Sequence, residues 1–125
     1  MKECNQYIRR AEHDLKSAKI LFQEGIYDVA VYHAQQCGEK ILKAYLSSKE
    51  EKIIYSHDLS KLNKECLKYS DVFKKYEEYC YILTPYATEF RYVAIDEFMP
   101  EKSDVEEAVK IAEIMFEEIK KILKE

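Results

Sequence analysis

Three groups of residues in this chain are of kinds that do chemistry. Arg91-Tyr92 stands in a stretch crowded with aromatic and charged side chains, from Tyr86 to Phe98. An arginine can grip a phosphate through two parallel N–H donors, and a tyrosine ring can stack on a base. The same arginine can also pair with Glu89, Asp96 or Glu97 and fasten its own loop. Gln35, Gln36, Glu39 and Lys43 form the second group, at spacings that put them on neighbouring rows of one helix. They can line a cleft beside the Arg91 loop, or satisfy one another across a dimer interface. His57, next to Asp58, is the third: a catalytic or ligating imidazole on one reading, a capping or loop-fixing residue on the other.

The remaining reactive types build no site. His13 and His33 have no second ligand nearby and no HExxH-like spacing, so a metal is not expected. Cys4, Cys37, Cys66 and Cys80 show no CxxC spacing, and the last three fall on apolar helix rows, which reads as free buried thiols in a reducing cytoplasm. No glycine-rich phosphate loop is present, and no cofactor is expected.

Composition narrows the class further. At 125 residues the chain is read as one domain, 1–125. Two glycines and two prolines, against 35% charged and 47% hydrophobic residues, leave little material for tight turns and favour long helices over sheet. The eleven tyrosines exceed what a core needs, and their hydroxyls want water or a partner, so many are expected at a rim or an interface. A formal net charge of −4 argues against a general polyanion binder, so DNA is not an expected partner, although a local basic patch stays open. With no signal peptide and no apolar run of membrane-spanning length, the expectation is a soluble cytoplasmic protein.

These residues need elements to hold them, and the central one is Ile26–Leu46. Ala30, Ala34, Cys37, Ile41 and Ala44 recur at three and four. Its first half is apolar nearly all round, which predicts burial among several helices, and its second half carries the polar face. Gly38 costs about 1 kcal/mol relative to Ala inside a helix, so it calls for a packing reason.

Before it, Ile8, Ala11, Leu15, Ala18 and Phe22 predict an amphipathic helix from about Cys4 to Glu24, stopped by Gly25, which makes the first two helices an antiparallel hairpin. After a polar SSKEEK loop, Ser56 or Asp58 caps a short helix with Leu59, Leu62 and Cys66 inward. Ser70-Asp71 then opens a fourth helix through Val72, Phe73, Tyr76, Cys80 and Leu83, which Pro85 ends. Between Thr84 and Pro100 periodicity fails. Ser103 and Glu106 read as a capping box, and Val105, Ala108, Ala112, Met115, Ile119 and Ile122 carry the last helix. The predicted fold is all-α: an antiparallel up-and-down four-helix bundle with one additional short helix.

Taken jointly, Ala11 with Asp14-Leu15 and Ala18, Gly25 with Tyr27 and Ala30, Ala34-Gln35-Gln36 with Glu39-Lys40 and Leu42-Lys43-Ala44, His57-Asp58-Leu59, and Arg91-Tyr92 make the chain resemble the HEPN family of small prokaryotic helical proteins. The resemblance implies a helical bundle that commonly dimerises and is often encoded beside a minimal nucleotidyltransferase as a two-component or toxin–antitoxin pair. Some members of that family are ribonucleases, and others are thought to bind nucleotides. The ribonucleases carry an arginine followed after four to six residues by a histidine. Here Arg91 is followed by Tyr92, Val93, Ala94, Ile95, Asp96, Glu97 and Phe98, with no histidine. A phosphate holder without its proton carrier favours a non-catalytic homodimeric interaction module paired with a nucleotidyltransferase-type partner. The alternative is a nucleotide- or RNA-binding protein with weak metal-independent ribonuclease activity, using Arg91, Tyr92, Gln35, Gln36, Glu39, Lys43 and His57.

Overall fold

The structure is a computed structural model and describes residues 2–49, 52–87 and 100–124. Its helices are α1 (Lys2–Gln23), α2 (Tyr27–Ser48), α3 (Leu59–Leu67), α4 (Glu77–Leu83) and α5 (Lys102–Lys124), with single 3₁₀ segments at Asp71–Tyr76 and Thr84–Ala87. No strand occurs among the described residues, so the chain is all-α as its composition and periodicity imply. No helix among them is long and apolar enough to cross a membrane.

The α1–α2 hairpin forms where the sequence places it. Gly25 takes φ +75°, and the reversal is closed by Gly25 N–H to the Phe22 carbonyl (3.1 Å) and Ile26 N–H to the Leu21 carbonyl (2.9 Å). That pair of bonds is a Schellman motif, and the left-handed residue it requires is why a glycine stands here. Helix α2 is the hub: it packs along α1, against α5, and against α3 and α4.

Gly38 has its packing reason. A Cβ there would lie 3.1 Å from Leu59 Cδ1 and 3.2 Å from Leu83 Cδ1, so its absence lets α3 and α4 approach the hub.

Burial along α2 runs opposite to expectation. The first half leaves Val29 exposed and Tyr27, Tyr32 and His33 half-buried, whereas every residue from Ile41 to Leu46 is buried, Lys43 included. The polar side chains of the second half are covered because they satisfy one another and because α3 and the segment leading into it pack over them.

The element after α3 also differs from the sequence reading. Ser70 does cap it, its hydroxyl accepting from Val72 N–H at 3.3 Å, but the backbone winds first as a 3₁₀ turn and becomes α-helical only at Glu77. In a 3₁₀ turn residues three apart eclipse, which sets Phe73 and Tyr76 together into the core. The bundle therefore has long helices α1, α2 and α5, and its fourth corner is built from short pieces. Thr84 pins that corner to α3, accepting from Leu59 N–H (3.1 Å) and donating to the Cys80 carbonyl (2.7 Å).

At α5 the expected Ser103–Glu106 box is displaced. The helix starts two residues earlier, with Val105 N–H on the Glu101 carbonyl (3.1 Å) and the Asp104 carboxylate accepting from Glu101 N–H (3.3 Å).

Candidate functional site

Where α2 faces the segment leading into α3, one polar cluster gathers most of the residues the sequence singled out. Its centre is Glu39, a fully buried carboxylate. Oε2 accepts from Lys43 Nζ at 2.9 Å and Lys40 Nζ at 3.3 Å; Oε1 accepts from His57 Nδ1 at 2.9 Å and Gln35 Nε2 at 3.4 Å. Lys43 stands one helical turn from Glu39, whereas His57 arrives from beyond the end of α2. It is held there because Asp58 caps α3, accepting from Ser60 N–H (2.9 Å) and Lys61 N–H (3.4 Å), while Ser56 Oγ accepts from Asp58 N–H (3.0 Å).

Glutamines knit the rest. Gln35 Nε2 also donates to the His57 carbonyl (3.0 Å), and its Oε1 accepts from Gln36 Nε2 (2.7 Å); Gln36 Oε1 in turn accepts from Lys40 (3.3 Å). Gln35, Gln36, Glu39, Lys43 and His57 are thus brought together within one chain. Arg91 and Tyr92 lie outside the described residues.

The electrostatics follow from the donors. Burial opposes a charge on Glu39, but the hydrogen bonds from His57 and Lys43 and the positive charges of Lys43 and Lys40 outweigh it and hold the carboxyl below its ordinary range. A carboxylate only accepts, so the proton on the near side of the imidazole sits on Nδ1 and Nε2 is the ring nitrogen left for another partner. His57 is the member whose side chain is more than half exposed, at 54%. Beside it Tyr55 is almost wholly exposed, with ring centroids 6.1 Å apart. Lys40 leads outward into a groove of about 470 Å³ shared with Tyr7 and Arg10. The arrangement can therefore offer an imidazole nitrogen, an amine and a guanidinium to a ligand, with the buried carboxylate fixing the first two.

Sequence reasoning missed Lys40 as a member of the site, though its place one turn after Gln36 was a usable signal. It also missed a second carboxylate–imidazole pair: His33 Nδ1 meets Asp14 Oδ1 at 2.8 Å, tying α1 to α2. The cysteines are free and buried, as expected. Cys37 and Cys80 are both pushed up by burial first, the latter to about 12, so neither is a ready thiolate. No group of His, Cys, Asp and Glu among the described residues suits a metal.

Comparison with known proteins shows the family. Residues 4–122 match the family model of the HEPN domain. A protein of Methanocaldococcus jannaschii named "Putative toxin MJ1304" is 32% identical over 142 positions that cover 100% of this chain and 91% of the relative. The crystal structure of TT1696 from Thermus thermophilus superposes with a TM-score of 0.85 at 22% identity, covering 97% of this chain and 98% of the other, which supports the fold. That of ST0689, an archaeal HEPN homologue, gives 0.76 at 26% identity, with 96% and 97% covered. The chain belongs to the HEPN domain family.

Proposed function

We propose that this chain is the HEPN half of a toxin–antitoxin-like two-component module: a homodimer of single-domain chains that pairs with a nucleotidyltransferase-type partner and performs no catalysis of its own. The carrying observation is that the buried polar groups of the cluster, Gln35, Glu39 and Lys43, are committed to their neighbours within it. Glu39 engages four donors with its two oxygens, and Lys43 is buried against it. Groups so engaged stiffen a scaffold; they are not poised to meet a substrate. The likeness to a relative named as a toxin supports the module, and exposed Ile20, Ile26 and Val29, from the paired ends of α1 and α2, support contact with another protein surface. Four free, buried thiols fit the cytoplasm as the site of action.

The test is co-expression with the nucleotidyltransferase-type product of the neighbouring reading frame, read by co-purification and light scattering. A complex containing two copies of this chain is expected. A monomer at micromolar concentration that captures no such partner refutes the reading.

A second reading rests on the exposed imidazole of His57, which shares Glu39 with Lys40 of the Tyr7–Arg10–Lys40 groove: binding of a nucleotide or RNA, with weak metal-independent cleavage. Arg91 and Tyr92 would join it as phosphate holder and stacking ring. Under this reading labelled RNA is cut in the presence of chelator and His57→Ala and Arg91→Ala each abolish the cut; uncut RNA with the wild-type chain refutes it.

A further inference from the structure

On the flank formed by α4 and α5 lies a groove of about 400 Å³ that no part of the Glu39 cluster touches. Its floor is apolar, made by Tyr79 and Ile82 from α4 and by Ile111 and Ile114 from α5. Its rim is charged in one sense. Glu78, Glu106 and Glu107 line it and are exposed, against the single ammonium of Lys110. None of these carboxylates forms an ion pair with another described residue, although exposed Glu12 and half-buried Glu113 and Glu118 have found lysines.

The spacing makes this one surface. On α5, Ser103, Glu107, Lys110 and Ile114 follow at four, three and four, a row beside the core row of Val105, Ala108, Ala112 and Met115. An apolar floor with a net acidic rim, three carboxylates to one ammonium among the described residues, recognises the opposite arrangement: an apolar stripe flanked by cations. The same carboxylates repel a phosphate backbone, which decides between a protein and a nucleic acid as occupant.

We propose that the α4–α5 groove is a docking site for an amphipathic segment of a partner protein, with aliphatic side chains entering between Ile82 and Ile114 and lysines or arginines meeting Glu78, Glu106 and Glu107. It rests on the pairing reading above, giving that partner a surface and a chemistry.

Two arms test it separately. In the first, a labelled peptide with leucines on one helical face and lysines on the other is titrated by fluorescence anisotropy at physiological ionic strength, beside a counterpart with glutamates for lysines. The triple variant Glu78→Lys/Glu106→Lys/Glu107→Lys is compared with a control, Glu3→Lys/Glu24→Lys/Glu117→Lys, that changes net charge equally. The lysine peptide alone binds, and the groove variant weakens it at least about tenfold while the control changes it less than about twofold. No binding, or equal loss in both variants, overturns the groove.

In the second arm the same variants are co-expressed with the nucleotidyltransferase-type partner. Loss of co-purification only in the groove variant, with melting temperature and helix content kept, supports the assignment. Partner retained by the groove variant overturns the assignment and leaves the pairing reading standing. A wild-type chain that binds the peptide and ignores that partner overturns the pairing reading instead.

Discussion

Glu39→Ala is the sharpest perturbation of the cluster, and the structure sets its size. Removing the carboxylate deprives four donors, but they are not equally trapped. His57, at 54% side-chain exposure, can turn to water, and Lys40, at 20%, keeps Gln36. Gln35 keeps the His57 carbonyl. Lys43 has nowhere to go: its side chain is 11% exposed and Glu39 is its acceptor among the described residues. Breaking a buried pair by deleting one partner costs about 3–5 kcal/mol, whereas an exposed pair is worth about 0–1. With one trapped amine, the lower half applies, about 3–4 kcal/mol. At about 4 °C per kcal/mol for a chain of this length, that lowers Tm by about 12–16 °C. Urea unfolding followed by far-UV circular dichroism measures it, with Lys43→Met and the double variant Glu39→Ala/Lys43→Met completing a cycle. The double variant should be less destabilised than the singles sum to, by about 2 kcal/mol, because it removes the stranded charge. A loss below about 1 kcal/mol with no coupling means the cluster is open to water, and the argument that it is a closed scaffold fails.

The same carboxyl gives stability a pH signature. Its folded value lies below the ordinary one, so the unfolded chain takes up the proton first, and the contribution is present above about pH 4.3 and lost as pH falls through the lower folded value. Urea midpoints should therefore drop more steeply below about pH 4.3 in the wild type than in Glu39→Gln; parallel curves would contradict the assignment. At Gly38, alanine gains about 1 kcal/mol of helix propensity but presses on two leucine methyls that can yield a few tenths of an ångström, so it should be neutral within about 1 kcal/mol. Valine adds a branch with no space to enter and should cost about 2–3 kcal/mol more; a Gly38→Val as stable as Gly38→Ala would remove the packing reason for the glycine.

The helices that follow a simple period were legible, and those governed by competition were not. Ala11, Leu15 and Ala18 on α1, and Val105, Ala108, Ala112 and Met115 on α5, announce their rows, and Gly25 marks a left-handed position that only a turn explains. A cap at Ser56 or Asp58 was equally readable, and Asp58 holds it. Asp71–Tyr76 was not, because Val72, Phe73 and Tyr76 fit an α row as well as a 3₁₀ one, and only packing separates them. The start of α5 was misplaced for a related reason. Ser103 with Glu106 and Glu101 with Asp104 share one spacing, and the poorer capping residue of the two pairs holds the end. The inversion along α2 has the deepest cause. A pattern reading sends Gln35, Glu39 and Lys43 to the outside, since nothing in periodicity tells that His57, eighteen residues beyond Glu39, will return to complete them.

That inversion also separates what folds the chain from what it offers to others. Recognition needs polar groups that folding leaves incomplete, because a group already satisfied gains little from a second partner and must be desolvated to meet it. By this measure Glu39 is the least available carboxylate described and Glu78, Glu106 and Glu107 are among the most available, although all have the same chemistry. The consequence is separability. Charge reversal at the α4–α5 rim touches no buried donor, so it should alter binding at constant Tm. Glu39 variants should lower Tm and change partner binding only in proportion to the unfolded fraction. A Glu39 substitution that abolished pairing in chain still fully folded would show that the polar cluster is itself part of the recognition surface, and would return His57 and its neighbours to the centre of function.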